Sequence, residues 1–387
     1  MNVLNGVDRL IRGGFAQLKG RKIGLVCNQA TITKSGIHIL DAMLPGHHSS
    51  EFSIQAVFGP QHGIWGHTQD NMIEWEGYRD PRTGIPFYSL YGEHRKPPIE
   101  WLNGIDLLVI DLPDVGSRYY TFIWTTLLCM EACHEAGIPV LVLDRVNPIG
   151  REVEGNLMET GFESFVGLKP LPMRHGMTLG EIARRFRELY APCELSVLET
   201  EGWDGVSRFS ATDLMWAMPS PNMPTPDTAL VYPGACLIEG TKLSEGRGTT
   251  RPFEIVGAEG FNGWSLAEEL ARAGLPGVVF RPIQFMPTFQ KYAGRVCEGV
   301  FVHVTDADRF RPCLTYLWLI RECVRLFPEV FEWQVPPYEY EYVLAPIDIL
   351  CGTDRLRLMI ERASPLPDFE TMLGESLSLW MRENSAN

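Results

Sequence analysis

The first half of the sequence alternates short apolar runs with longer segments of helical spacing. Runs of strand length occupy residues 22–27, 52–58, 106–112, 139–144 and, more weakly, 85–90. Such near-continuous runs are typical of parallel strands buried on both faces. Residues 35–44 and 121–136 have helical length and spacing, and Gly137 ends the second of these segments. The alternation predicts an α/β domain over residues 1–150, with a Rossmann-like, open and mostly parallel sheet.

After residue 150 the pattern loses its strict alternation. Residues 178–190 predict an amphipathic helix in which Thr178 and Glu181 form a capping box. Further strands are expected at 194–198, 277–285 and 299–304, and further helices at 314–327 and 368–383. This mixture predicts a second α+β domain over residues 151–387. Residues 217–252 are rich in Pro, Gly, Thr and Ser, and they predict a long functional loop within it.

Polar or glycine-rich residues follow every predicted strand of the first domain. They occupy residues 28–29, 59–63, 91–93, 111–118 and 144–148. Open α/β sheets bind ligands beyond the carboxyl ends of their strands. We therefore expect a site at this edge of the sheet.

Composition and charge exclude several classes of protein. The chain has 387 residues, 45% of them hydrophobic, and a net charge of −14, which disfavours binding to nucleic acid or anionic lipid. No uncharged window of about 18 apolar residues predicts a membrane span, and residues 1–24 lack the apolar core of a signal peptide. Nine cysteines without a C-x-x-C pair fit a reducing compartment. These features predict a cytoplasmic protein.

The sequence lacks the usual cofactor fingerprints. It contains no G-x-G-x-x-G, no G-x-x-x-x-G-K-[ST] and no H-E-x-x-H. The histidines at 47, 48, 62 and 67 are not followed by a carboxylate at ligand spacing, so ordinary loop histidines are favoured over a metal site. We expect neither a metal nor another cofactor.

Three segments combine turn residues with reactive side chains. Residues 58–64 contain Gln61 and His62 between glycines that permit close approach of a ligand, although a simple tight turn is the alternative. Residues 111–120 contain Asp111, Asp114 and Arg118, where the alternative is a helix cap at Asp114 with Arg118 as its partner.

The third segment runs from residue 219 to residue 250. Its prolines and alternating glycines suggest side chains that must be held accurately, and its reactive groups are Glu239, Glu245 and Arg247. A solvated loop is the alternative.

Five motifs, taken together and in this order, resemble the exo-β-N-acetylmuramidase family called NamZ. They are GPQHG, DLPDVGSRYYT, RHGMTLGE, PSPNMPTPDTALVYPG and LIEGTKLSEGRGTT. The resemblance covers the chain from about residue 21 to beyond residue 300. It implies a Rossmann-like subdomain and a second subdomain with the active-site cleft between them. It also implies a glycosidase that removes N-acetylmuramic acid from the non-reducing end of peptidoglycan fragments during cell-wall recycling.

One position departs from the family pattern. Many members carry Glu in the G-P-E-H-G motif where this chain has Gln61, and glutamine cannot act as a general acid. Either the acid lies elsewhere, or the chain is a non-catalytic sugar-binding or sensing protein of the same fold.

Glycoside hydrolysis usually needs one carboxylic acid and a second group that attacks or activates water, or else a carboxylate that orients the substrate acetamide. The catalytic candidates are Glu245, Glu239, Asp114 and His62. The candidates for binding a muropeptide or another muramic-acid-terminated sugar are Gln61, Asp111, Arg118, Tyr119, His175, Asn222 and Arg247. The lactyl carboxylate of muramic acid favours an arginine partner, and Arg247 is preferred over Arg118 and Arg174. We expect the two glutamates to share one cleft with Asp114 and His62.

Overall fold

The computed structural model describes residues 1–70 and 72–385. The chain divides into two compact units, and neither is continuous in sequence. The first comprises Met1–Gly116, Tyr120–Arg151 and Gly176–Pro226. The second comprises Ser117–Tyr119, Glu152–His175 and the chain from Asp227 onward. The expected division at residue 150 therefore differs from the structure, which returns residues 176–226 to the first unit.

Both units combine short strands with helices. The strands are β1 (Lys22–Val26), β2 (Ser53–Gly59), β3 (Tyr78–Arg79), β4 (Pro86–Ser89), β5 (Leu107–Ile110), β6 (Val140–Leu143), β7 (Glu154–Leu157), β8 (Pro172–Arg174), β9 (Leu195–Leu198), β10 (Ile255–Ala258), β11 (Val278–Phe285) and β12 (Cys297–Val304). The helices are α1 (Gly6–Arg12), α2 (Ile39–His48), α3 (Ile99–Leu102), α4 (Phe122–Ala136), α5 (Leu179–Leu189), α6 (Pro226–Ala235), α7 (Gly263–Arg272), α8 (Pro312–Leu326), α9 (Pro346–Cys351), α10 (Arg355–Glu361) and α11 (Leu366–Ser385). Short 3₁₀ helices occupy Phe209–Ala211 and Cys236–Gly240.

The first unit is built on a seven-stranded sheet in the order β3-β4-β2-β1-β5-β6-β9. All neighbours pair in parallel except β3, which is antiparallel to β4. Every residue of β5 and β6 is buried, which explains why both strands are continuous apolar runs in the sequence. The strand order reverses between β1 and β5. The predicted Rossmann-like sheet is confirmed, and β9 extends it because Val142 pairs with Val197.

Two helices of the first unit show how local sequence sets their ends. α4 ends at Gly137, whose φ of 65° suits a residue without a side chain. α5 begins with the expected capping box, in which Glu181 accepts from the Thr178 amide at 2.8 Å. The helix expected at 35–44 begins later, because the His38 side chain caps α2.

The second unit contains a three-stranded antiparallel sheet, β10-β12-β11, and the two-stranded sheet β7-β8. Helices α6 to α11 belong to it as well, which confirms the expected second α+β domain. Among the described residues, no helix combines the length and the apolar character needed to cross a membrane.

The prediction that residues 217–252 form one long loop is wrong. It contains α6 and the second 3₁₀ helix, and the two units divide it between Pro226 and Asp227. From Thr228 onward every residue of α6 is buried. A helix buried on all sides has no polar stripe, so its 3.6-residue period is invisible in the sequence.

Candidate active site

Gln61 is fixed at the carboxyl edge of the first sheet. It follows β2 and is buried. Its Nε2 donates to the Tyr91 hydroxyl at 3.0 Å, and its Oε1 accepts from the Thr121 hydroxyl at 2.8 Å. Side chains from the ends of β2 and β4 and from the N-terminus of α4 therefore meet around one amide. The residue is more than part of a tight turn, because its side chain ties these segments together.

His62 lies beside this network in an unusual backbone conformation. Its φ is 70°, and Gly63 follows with a φ of 82°. The half-buried imidazole donates from Nδ1 to the Thr68 carbonyl at 2.8 Å. This hydrogen bond fixes the orientation of the imidazole ring at the end of β2.

Asp111 is completely buried and pairs with Arg145. Arg145 donates from Nε to Oδ1 at 2.5 Å and from Nη2 to Oδ2 at 2.8 Å. This bidentate pair joins the ends of β5 and β6. Asp111 therefore orients an arginine here, and sequence reasoning overlooked Arg145 although it follows a predicted strand.

Asp114 shapes the turn after β5. Its Oδ2 accepts from the Gly116 amide at 2.8 Å, and Gly116 has a φ of 78°. The side chain also lines a small cavity of about 50 Å³ together with Lys34, Arg145 and Trp216. That cavity lies where the strand order reverses, the usual ligand position in such sheets. The alternative of a helix cap at Asp114 is wrong, because Asp114 lies in a turn and Thr121 precedes α4.

Asn222 holds the proline-rich segment against the same edge of the first unit. Its Nδ2 donates to the Gln69 carbonyl at 2.9 Å, and Asn28 Nδ2 donates to the Pro219 carbonyl at 2.8 Å. Of the residues singled out in the sequence, the first unit places five along its carboxyl edge: Gln61, His62, Asp111, Asp114 and Asn222.

Glu239, Glu245 and Arg247 form a buried ionic cluster in the second unit. Arg247 donates from Nη1 to Glu245 Oε1 at 2.6 Å and from Nη2 to Glu239 Oε1 at 2.8 Å. Lys291 reaches Glu245 Oε2 at 2.9 Å, and the Tyr338 hydroxyl donates to Glu239 Oε2 at 2.7 Å. Two cations thus balance two carboxylates, and the alternative of a solvated loop is excluded because these side chains are buried.

The ion pairs decide what Glu245 can do chemically. Burial by itself would raise the pKa of Glu245, but Lys291 and Arg247 overcome it and lower that pKa to about 2. Glu245 is therefore ionised at neutral pH and is unsuited to donate a proton as a general acid. An ionised carboxylate can still orient a substrate amide or act as a nucleophile.

The remaining binding candidates are buried residues of the second unit. Arg118 is fully buried and donates to the carbonyls of Asn156, Leu171 and Leu350 at 2.8–2.9 Å. The alternative in which Arg118 pairs with Asp111 or Asp114 is wrong, because the guanidinium donates to these three carbonyls instead.

Tyr119 and His175 are buried in the same unit. The Tyr119 hydroxyl donates to the Pro233 carbonyl at 3.0 Å, and His175 follows β8. Their assignment to substrate binding stays a prediction. The predicted sharing of one cleft by the two glutamates with His62 and Asp114 also stays a prediction, because the pairs belong to different units.

Lys291 is a member of the cluster that sequence reasoning missed. It stands 46 positions after Glu245 and lies in no motif, so no sequence signal could have found it. Within residues 1–70 and 72–385, no group of three or more His, Cys, Asp or Glu side chains is placed to hold a metal ion.

Comparison with known proteins supplies the family. A family model described as exo-β-N-acetylmuramidase NamZ, N-terminal, matches residues 23–227, and its C-terminal counterpart matches residues 230–386. The chain belongs to the exo-β-N-acetylmuramidase NamZ family. The resemblance seen in the five motifs is confirmed. The division between the two family models falls close to Asp227, and the chain from Asp227 onward belongs to the second unit.

Relatives of this family match along nearly the whole chain. The peptidoglycan β-N-acetylmuramidase NamZ of Bacillus subtilis (strain 168) is 44% identical over 367 residues, which are 94% of this chain and 85% of that protein. A crystal structure of a DUF1343 family protein from Bacteroides fragilis NCTC 9343 has a TM-score of 0.87 at 30% identity and covers 98% of this chain and 97% of its own. A second DUF1343 protein from that organism has a TM-score of 0.74 at 26% identity and covers 100% and 98%.

Proposed function

We propose that the protein is an exo-acting glycoside hydrolase that releases N-acetylmuramic acid from the non-reducing end of peptidoglycan fragments. The observation that carries this proposal is membership of the NamZ family over both parts of the chain, including a relative named as a peptidoglycan β-N-acetylmuramidase. The substrate class is then a muropeptide or another muramic-acid-terminated sugar.

The described side chains supply groups for such a reaction. Asp114 lines a cavity at the carboxyl edge of the first sheet, and at the same edge His62 donates from Nδ1 to the Thr68 carbonyl, so a carboxylate and an imidazole are the candidate acid–base groups there. Glu245 is suited to act as an ionised carboxylate and not as the acid. The substrate acetamide can serve as the nucleophile in hydrolysis of N-acetyl sugars, and a carboxylate then orients it.

A second candidate function rests on Gln61. Its amide cannot donate a catalytic proton, and two hydrogen bonds hold it in a buried position. A protein that keeps the sugar site without the acid would bind or sense muramic-acid-terminated fragments and would release nothing.

One assay separates the two functions. The purified protein is incubated with a chromogenic N-acetylmuramide and with fragments that end in muramic acid, and released sugar is followed by absorbance and mass spectrometry. Release of free N-acetylmuramic acid from the non-reducing end supports the hydrolase. Binding without release supports the sensor. Absence of both binding and release would overturn both functions.

We also propose that the protein acts in the cytoplasm, on fragments recovered during cell-wall recycling. All nine cysteines are free and buried, which is typical of proteins from reducing compartments. Cell fractionation with an antibody tests the location. Accumulation of muramic-acid-terminated fragments in the cytoplasm of a deletion strain tests the recycling role, and accumulation outside the cell would contradict it.

A further inference from the structure

The second unit contains a cavity of about 550 Å³ between β7 and α11. This volume falls within the range of about 300–1,000 Å³ that is usual for small-molecule pockets. Its described lining residues include none of the catalytic or sugar-binding candidates, so a ligand bound here is separate from the sugar that is cleaved. The apolar part of the lining comprises Leu157, Met158, Pro170, Met372 and Leu379. The Leu379 side chain is exposed, which leaves an apolar surface for a ligand to cover.

One side of α11 presents two opposite charges to this cavity. Glu375 and Arg382 both line it and both are exposed, and within the described part of the chain neither makes an ion pair or a side-chain hydrogen bond. They are seven positions apart on the helix, which is close to two full turns. Both side chains therefore extend from the same side of α11, about 10 Å apart along its axis. A ligand with a cation at one end and an anion at the other would satisfy both charges.

Two hydrogen-bonding groups in the same cavity are not satisfied by the described residues. Asn156 is only 2% exposed; its Nδ2 donates to the Leu157 carbonyl at 2.7 Å, but its Oδ1 has no partner among those residues. Such an unpaired buried acceptor costs free energy, and most are paired in folded proteins.

Ser376 supplies the second group. Its Oγ accepts from the Leu157 amide at 2.7 Å, and within the described residues its own hydrogen has no acceptor. The Thr371 and Ser378 hydroxyls of the same helix instead donate to the carbonyl four positions earlier. The cavity thus offers one acceptor, at Asn156, and one donor, at Ser376. A peptide group offers the complementary N–H and C=O.

The charges of the lining disfavour simpler ligands. Arg355 and Glu159, which also line the cavity, form a long ion pair of 3.7 Å and so largely neutralise each other. A plain anion would then meet the carboxylate of Glu375, and a plain cation would meet the guanidinium of Arg382. An uncharged sugar would leave both groups without a partner of opposite charge. The lining therefore favours a zwitterion.

We propose that this cavity binds a free peptide of about three residues, because an extended chain spans about 3.3–3.6 Å per residue and must bridge about 10 Å. The terminal ammonium pairs with Glu375 and the terminal carboxylate with Arg382. A peptide N–H donates to Asn156 Oδ1, a peptide carbonyl accepts from Ser376, and apolar side chains cover Leu379. The site goes beyond the proposed function, since its ligand is a peptide and no bond is cleaved there.

Calorimetric titration with the tripeptide Ala-Leu-Ala and its two blocked forms tests the site. The C-terminal amide lacks the carboxylate, and the N-acetyl form lacks the ammonium group. Each blocked form should bind about tenfold more weakly than the free tripeptide, because each loses a hydrogen bond between charged groups. The dipeptide Ala-Leu spans about 7 Å and should also bind more weakly, because it cannot reach both charges. A free tripeptide that binds no better than its blocked forms overturns the inference.

Two variants assign the ends of the peptide. Arg382→Gln should bind the free tripeptide about tenfold more weakly than the wild type does, and should bind the C-terminal amide as the wild type does. Glu375→Gln should weaken the free tripeptide to the same extent and leave the N-acetyl form unchanged. Arg251→Ala is the matched control, because it removes a partly exposed arginine from a different cavity of the second unit. It should bind all the peptides as the wild type does.

The inference is overturned when Arg382→Gln and Glu375→Gln, with unfolding temperatures of the wild type, bind the free tripeptide as tightly as the wild type. The hydrolysis assay distinguishes this failure from failure of the proposed function. Release of N-acetylmuramic acid by a wild type that does not bind the tripeptide overturns the peptide site alone. Tripeptide binding that is lost in both variants supports the site, whether or not the wild type releases N-acetylmuramic acid.

Discussion

The guanidinium of Arg247 and the carboxylate of Glu245 form a buried ion pair, with Nη1 donating to Oε1 at 2.6 Å. The same guanidinium bonds to Glu239, and Lys291 bonds to the far oxygen of Glu245. Each buried charge in this cluster has a partner of opposite charge. These ion pairs hold the segment between the second 3₁₀ helix and β10 in place. Arg247 therefore organises this segment, and its predicted contact with a substrate stays a prediction.

Arg247→Ala should destabilise the protein strongly. Removing one partner of a buried pair leaves uncompensated carboxylates, which costs about 3–5 kcal/mol in the free energy of unfolding. Urea denaturation measures this loss, and activity on muramide and glucosaminide substrates should fall alike. Arg272→Ala removes an arginine from exposed pairs with Glu268 and Glu269, so it should cost no more than about 1 kcal/mol. A stable Arg247→Ala variant that loses only muramide turnover would contradict the structural role.

The ionised state of Glu245 should make stability depend on acid pH. Its pKa is about 2 in the folded protein and near 4.5 in the unfolded chain. A lowered folded-state pKa means that the contribution is present above pH 4.5 and is lost as pH falls from 4.5 toward 2. The free energy of unfolding of the wild type, measured across this interval, should fall more steeply than that of Glu245→Gln. Glu268→Gln, at an exposed position, should keep the wild-type slope.

Asp144 should titrate at a higher pH than an ordinary aspartate. Burial raises its pKa to about 6, although hydrogen bonds from Gly180, Thr178 and Arg145 oppose the shift. Because the folded-state pKa is raised, its stability contribution is present below about pH 3.8 and is lost as pH rises through about 6. Carbon-13 NMR of the carboxyl groups should find this midpoint near 6. Asp213, which accepts from Lys34, should titrate near 2, and equal midpoints would refute the assignment.

The fixed position of Gln61 depends on the Thr121 hydroxyl. Thr121→Val removes the donor to a buried amide oxygen, and this should cost about 1–3 kcal/mol in the free energy of unfolding. Thr121→Ser keeps the hydroxyl and should recover most of the loss. Thr371→Val, where an exposed hydroxyl donates to the Pro367 carbonyl, should cost much less. An equal effect at both sites, measured by thermal unfolding, would show that the bond to Gln61 contributes little.

The sequence by itself determined the first sheet, the capping box of α5 and the family. β5 and β6 are recognisable because burial on both faces demands a continuous apolar run. Thr178 and Glu181 are recognisable because a capping box depends on residues three positions apart. The long signature between residues 219 and 250, which contains Arg247, is distinctive enough to identify the family, whereas the short motif around Gln61 would be weak by itself. Each of these signals is local, so each can be read along the chain.

Only the tertiary structure decided which side chains are partners. The sequence favoured Arg247, between Gly246 and Gly248, as a ligand-binding arginine. In the structure its guanidinium pairs with Glu239 and Glu245. The return of β9 to the first sheet depends on strand pairing across more than 50 residues. Residues that are distant in sequence meet because the backbone brings them together, and the local periodicity of hydrophobic residues contains no information about such contacts. For that reason the sequence pattern predicted which segments contain the candidate residues, and only the fold showed which charged side chains pair with one another.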